Sequence, residues 1–177
     1  EPLLNTFTTG LISTFIAVLL VIGCLENELI LIRQGRKTNI DKLLWLIYLP
    51  LLVPQIAFLF GVQVLLVILH LDGIWISLVW SHLLFVLPYT FLTLGPIYRS
   101  YDQRMTDVAI TLSGSPWKAF IKVKLPMLLR PVLFSSAVGF SVSVAQYLPT
   151  LFIGAGRFDT ITTEAVNLAS GSDRRIV

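Results

Sequence analysis

Charge is what this sequence is short of. Only 13% of its 177 residues are Asp, Glu, Lys or Arg, against roughly 25% in a typical soluble domain. So few charges cannot coat a water-facing globule, and lipid is expected to cover much of the surface. Cysteine is scarcer still. Cys24 stands alone inside an apolar run, which excludes an internal disulfide and reads as a small inert hydrophobe. The two histidines, His70 and His82, are isolated and form no cluster at metal-ligand spacing. There is no glycine-rich phosphate loop, so this chain is not expected to hydrolyse ATP itself. No Ser-His-Asp arrangement can be argued. These absences speak against an enzyme and against a cofactor.

What the chain has is apolar mass. Hydrophobic residues make up 55% of it, and its mean hydropathy is +0.83. The net charge of +3 suggests a nucleic-acid partner at first sight. The basic residues, however, fall in short gaps between apolar runs, which excludes that reading and leaves the lipid membrane as the partner.

A helix needs about 20 mostly apolar residues to cross about 30 Å of hydrocarbon. Four stretches qualify: Leu11 to Ile32, Leu43 to Leu69, Ile74 to Tyr98 and Pro126 to Ile153. None shows the narrow apolar stripe of a water-soluble amphipathic helix. Prolines interrupt the second run at 50 and 54 and the third at 88 and 96. Membrane helices tolerate proline because neighbours re-satisfy the freed carbonyls, so kinks are expected near Pro54 and Pro88. The start lacks the basic leader of a signal peptide. Glu1-Pro2 without Met, and a polar stretch from Gly154 to Val177 with no further span, read as the ends of a fragment, with a fifth helix expected to follow.

Positive charge sets the orientation. The gap after the first run holds Arg33, Arg36, Lys37 and Lys42. The gap after the third holds Arg99, Arg104, Lys118, Lys122 and Lys124, with Arg130 just beyond. The His70-Leu71-Asp72-Gly73 turn has no Lys or Arg. Segments 33–42 and 99–125 are therefore expected in the cytoplasm, with the His70 turn and the tail from Gly154 outside. Arg157, Arg174 and Arg175 in that tail weaken the bias, and its Asp159, Glu164 and Asp173 count little.

Segment 102–126 carries the most local information. Asp102 or Thr106 can cap a first helix. Gly114 suits the left-handed position after its last turn. Ser115 can cap a second helix, and Pro116 fits its first position, where a missing N–H costs nothing. Trp117, Phe120, Ile121 and Lys124 follow at helical spacing. Such a short, bent, basic and half-apolar element cannot bury its face alone and needs a membrane surface or a protein partner.

This segment resembles the "EAA" loop of binding-protein-dependent ABC importer permeases, the MetI-like fold. That pattern runs Glu-Ala-Ala, three residues, Gly, nine residues, then Ile-x-Leu-Pro. Here Asp107, Val108 and Ala109 stand at Glu-Ala-Ala, Ser113 stands at the glycine, and Val123-Lys124-Leu125-Pro126 closes the motif. Asp for Glu, Val for Ala and Ser for Gly are departures, though Gly114 one place later could make the same turn. Ser115-Pro116-Trp117 and Phe120 match a frequent filling. Leu49 to Pro54 and Leu87-Pro88-Tyr89 also resemble the family, in its branch that moves thiamine, iron, sulfate, molybdate or polyamines. Ser143 to Gly156 and Thr162 to Asn167 are similar to one individual member.

The resemblance implies an all-α integral membrane bundle, with residues 1–177 forming one permease domain of about four spans. It implies that 102–126 is a coupling helix seated on a cytoplasmic ABC ATPase dimer, carried by Asp107, Ala109, Ser113, Gly114, Ser115, Pro116, Trp117 and Phe120, with Lys118 and Lys122 at the rim. A second permease domain, identical, separate or fused, and an external substrate-binding protein complete such a transporter. For Trp117 alone, an interfacial membrane anchor is the other reading.

Polar residues inside the runs mark candidate pathways. Ser136, Gly139, Ser143 and Gln146 share one face of the fourth run. Gln55 and Gln63 lie in the second, and Ser77, Ser81 and His82 in the third. Small residues and hydroxyls also serve as interhelical glue. Gln146, Ser143, Gln55 and Gln63 are the pathway candidates, and His82 reads as a hydrogen-bonded packing residue. Glu26 and Glu28 are expected to pair near Arg33 at the inner interface. A secondary transporter or a channel-type protein is the competing class. It would be expected to carry mid-membrane charges for coupling ions, and these are nearly absent. A membrane scaffold would explain the runs but not the matched loop.

Overall fold

Ten helices form in the computed structural model, which describes residues 1–37 and 40–171, apart from the side chain of Asp41. Of the tail charges, Asp173, Arg174 and Arg175 lie outside the described residues. Three long helices make the bundle: α1 (Pro2–Arg33), α4 (Trp75–Arg99) and α8 (Leu129–Ala145). Between them come α2 (Ile40–Leu52), α3 (Gln55–Ile68), α5 (Gln103–Ser113), α6 (Pro116–Ala119) and α7 (Leu125–Met127). The short helix α9 (Leu148–Ile153) and α10 (Ile161–Ser170) follow α8.

The bundle is inverted relative to a soluble protein. Large apolar side chains such as Leu4, Phe7, Phe15 and Leu19 on α1 are exposed, while Thr6, Thr9, Gly10, Ser13 and Ala17 are buried. Small residues let helix backbones approach where lipid removes the usual drive to hide apolar groups. Val21 and Leu25 then pack with Phe91, Leu94, Tyr98 and Leu128 in the main apolar cluster. α1 and α4 finish side by side, because the Arg99 guanidinium donates to both Glu28 carboxylate oxygens at 3.0–3.1 Å. α8 starts at that same end and runs back, so that Phe140 meets Phe7 edge-on at 5.7 Å and Ser13 donates to Ser143 at 3.3 Å.

Gly139 is where the three helices meet. A Cβ there would stand 3.0 Å from Thr90 Oγ1, 3.1 Å from Val86 Cγ1 and 3.2 Å from Thr14 Cγ2. Gly139→Leu is therefore expected to destabilise the bundle by about 1–3 kcal/mol through overpacking. A thermal melt of the detergent-purified protein would show it. An unshifted melt would mean that α8 does not seat against both neighbours.

The expected spans need three corrections. The first starts at Pro2, not Leu11. Its early threonines lower hydropathy, but Thr6 and Thr8 donate to the carbonyls of Pro2 and Leu4 at 2.7 Å and so cost little in lipid. The second is not a kinked helix but two helices whose axes turn by 107°. Pro54 has no N–H for the Pro50 carbonyl, and α3 starts afresh from the Pro54 carbonyl. The third span agrees with the expectation to within a residue, and α4 carries Pro88 and Pro96 inside one continuous helix. The fourth ends at Ala145: Gln146 is extended (φ −77°, ψ 105°), and Pro149 opens α9 instead. Among the described residues, two helices are thus long and apolar enough to cross a membrane alone, or up to four if each bent pair is one span. The polar tail also contains a helix, α10, started by a reciprocal cap between Thr160 and Thr163.

Candidate functional site

Two places collect the candidate residues. The first is the bent element from Asp102 to Met127, at the end of the bundle where α1 and α4 finish. Asp102 caps α5 by accepting from the Arg104 N–H at 3.0 Å. Thr106 lies buried inside α5 and donates to the Tyr101 hydroxyl at 3.3 Å. Gly114 takes φ +63° at the C-terminal cap of α5. Ser115 accepts from the Lys118 N–H at 3.5 Å, and Pro116 opens α6. Ser113 braces the corner by donating to the Ala109 carbonyl at 2.7 Å. Beyond α6 the chain takes one wide π-helical turn over Phe120–Lys124, which the sequence did not announce. After α7 the axis turns by 70° into α8.

This element has two faces. Thr106, Ala119 and Lys124 are buried against the bundle. Met105, Val108 and Leu112, spaced three and four apart along α5, are exposed, with Leu112 at 83%. Across the corner Trp117 is 69% exposed and stacks on Phe120, with centroids 5.9 Å apart and planes at 22°. Exposed apolar side chains gathered on a charged element mark a surface open to a protein or a membrane.

Charge pairs lash the inner face to the bundle. Arg33, in the last turn of α1, reaches Asp107 at 2.7 Å and donates to Gln103 at 3.4 Å. Lys124, 1% exposed, pairs with Glu26. Its ammonium lies 4.7 Å from the Tyr98 ring centroid and 5.6 Å from that of Tyr101, and the Tyr98 hydroxyl donates to the same Glu26 carboxylate. The expected pairing of Glu26 and Glu28 with Arg33 is therefore corrected. Glu26 takes Lys124, Glu28 takes Arg99, and Arg33 is spent on the bent element. Asp107, still 59% exposed, pairs with Arg33.

The second place is a cleft of about 540 Å³ lined by α2, α3, α4 and the break after α8, with Gln55, Gln146 and Tyr147 in its wall. It brings two of the four pathway candidates together and leaves out the other two. Ser143 is buried and bonded to His82 Nδ1 at 2.8 Å, while His82 Nε2 reaches Thr150 Oγ1 at 3.1 Å. Ser13 joins the same network. Ser143 and His82 thus sit in one hydrogen-bonded network that joins α1, α4, α8 and α9. Gln63 lies half-buried on α3, away from the cleft. Sequence reasoning missed Ser13, Ser135 and Thr150 as packing partners, since hydroxyls inside apolar runs carry no sign of which neighbour they meet.

No family model matches the chain. Over all of its 177 residues it is 46% identical to the inner membrane ABC transporter permease protein YnjC of Escherichia coli strain K12, and spans 32% of that protein. Over 117 residues, 66% of this chain and 44% of the relative, it is 24% identical to the spermidine/putrescine transport system permease protein PotC of the same strain. Over 83 residues it is 29% identical to the probable sulfate transport system permease protein cysT of Anthoceros angustus, covering 43% of this chain and 29% of that one.

Proposed function

Because this chain belongs to the permeases of ABC transporters, we propose that it forms part of the substrate pathway of an ATP-driven importer and that the element 102–126 couples that pathway to a cytoplasmic ATPase dimer. The chain lies in the inner membrane. It spans about a third of the length of the relative it matches throughout. The observation that carries the reading is the two-faced element. Its outer face offers Leu112, Trp117 and Met105 to a partner, and its inner face is tied to α1 by two charge pairs, with the Lys124 ammonium also over the Tyr98 ring of α4. Force applied outside has a stiff route into the bundle. Residues 107, 109, 113 to 117 and 120 play different parts in it. Trp117, with Phe120 beneath it, is the anchor. Ser113, Gly114, Ser115 and Pro116 fix the corner, Ala109 fills the half-buried side of α5, and Asp107 holds the lever to Arg33.

The basic residues Arg33, Arg36, Arg99, Arg104, Lys118 and Lys122 gather at one end of the bundle, which supports a cytoplasmic location for that end. ATP hydrolysis belongs to the ATPase subunits and first selection of cargo to an external binding protein. A second permease domain completes the pathway, and Gln55 and Gln146 face it from this half.

The test is capture of the ATPase. The full-length protein is co-expressed with its ATPase subunit and purified through the permease. Trp117→Ala removes an exposed ring that the fold barely uses, and is expected to cut ATPase recovery about tenfold or more, as loss of an aromatic hot spot does. Undiminished recovery from the variant would remove the element from the interface. A folded native chain that recovers no ATPase would move the protein toward a secondary transporter.

A further inference from the structure

The cleft beside Gln146 holds a buried acceptor with no donor. Gln146 is 6% exposed. Its Nε2 donates to the His82 carbonyl at 3.4 Å, and its Oε1 has no partner. A buried amide oxygen left without a donor costs free energy until one arrives. α8 stops at Ala145, and both Val142 and Ala145 stand in the cleft wall. The last carbonyls of a helix lack intrahelical donors and carry the negative end of its dipole. Pro50 is also in the wall, and Pro54, four residues on, has no N–H to offer its carbonyl. Phe85, Tyr89 and Tyr147 add aromatic rings, whose faces attract cations. Among the described residues, the lining contains no Lys, Arg, Asp or Glu.

Resting on the pathway reading above, we propose that this cleft admits cationic, hydrogen-bond-donating solutes, protonated amines above all, and disfavours oxyanions. An ammonium group can trade hydration for Gln146 Oε1, the carbonyl end of α8 and an aromatic face. An oxyanion would shed its hydration beside the Gln146 oxygen and the carbonyl end of α8, against which the start of α3 at Gln55 is the offsetting positive end. Discontinuous helices in transporters use their C-terminal ends for cations in this way.

The test needs no knowledge of the cargo. The full-length protein, with its native cysteines replaced and Ala145→Cys introduced, is placed in lipid nanodiscs. It is reacted with two thiosulfonate reagents of similar size, one bearing a trimethylammonium group and one a sulfonate. Their rate ratio is divided by the ratio on a small free thiol. The expected normalised ratio favours the cation by about tenfold, and Gln146→Leu should lower it at least about threefold. A ratio of one, or one favouring the sulfonate, overturns the charge preference and leaves the pathway reading standing. If neither reagent reacts, the cleft is not a water-filled route, and both readings fall.

Discussion

Lys124→Met is expected to cost the protein about 3 kcal/mol of stability, and adding Glu26→Gln to it should return most of that loss. Lys124 is 1% exposed. Its ammonium is held by the Glu26 carboxylate and by the rings of Tyr98 and Tyr101. Removing one member of a buried pair strands the other charge, which typically costs about 3–5 kcal/mol, whereas replacing both can be nearly neutral. The Glu26 side chain is 27% exposed, so some water can reach the stranded carboxylate, and the lower end of that range applies. Glu26→Gln alone should also destabilise, since it leaves the more deeply buried ammonium without its counter-charge. Thermal or chemical unfolding of the four proteins in detergent closes the cycle. A double variant as unstable as the sum of the singles would mean that the two residues do not act as a pair. The companion tie behaves differently. Arg33 and Asp107 are 39% and 59% exposed, and such surface pairs contribute about 0–1 kcal/mol. Arg33→Ala should therefore barely move the melt while loosening the lever's seat.

The parts of this molecule that were legible in the sequence are the parts fixed locally. Asp102, Gly114, Ser115 and Pro116 sit where cap chemistry demands them, and the corner forms there. α4 begins and ends within a residue of its apolar run. The illegible parts depend on neighbours far along the chain. Pro50 and Pro54 permit either a kink or a break, and the 107° turn goes with α3 packing away from α2. Phe58 lies 5.9 Å from Phe85, and Leu59 and Leu66 share a cluster with Ile153. Glu26, a carboxylate inside an apolar run, announced that it needed a partner, but nothing local pointed to Lys124 rather than Arg33. The reciprocal cap of Thr160 and Thr163 was a readable helix start, overlooked because the tail is polar. Gln146 stood out as a costly amide in a span. Its place at a helix break, with one oxygen unpartnered beside a cleft, emerges only once α8 is seen to stop at Ala145.

Gly114→Val is expected to uncouple transport without unfolding the bundle, lowering ATP-driven uptake by the full transporter about tenfold. Gly114 adopts φ +63°, where an L residue costs about 1–2 kcal/mol and a β-branched one more. A Cβ there would meet nothing within 4 Å, so the penalty is purely one of backbone conformation. The corner can relieve it by opening, and that shifts Trp117 and Phe120 relative to Leu112 on the face proposed to meet the ATPase. The bundle itself rests on contacts among α1, α4 and α8, so the melt should move by no more than about 2 kcal/mol. Gly114→Asn separates the causes, because Asn enters the left-handed region readily. Uptake retained in the Asn variant and lost in the Val variant identifies the corner's angle as the coupling element. Equal loss in both would point to bulk meeting the partner at that position. Undiminished uptake in the Val variant would remove the corner from the coupling route, because a lever whose bend can change freely transmits no stroke.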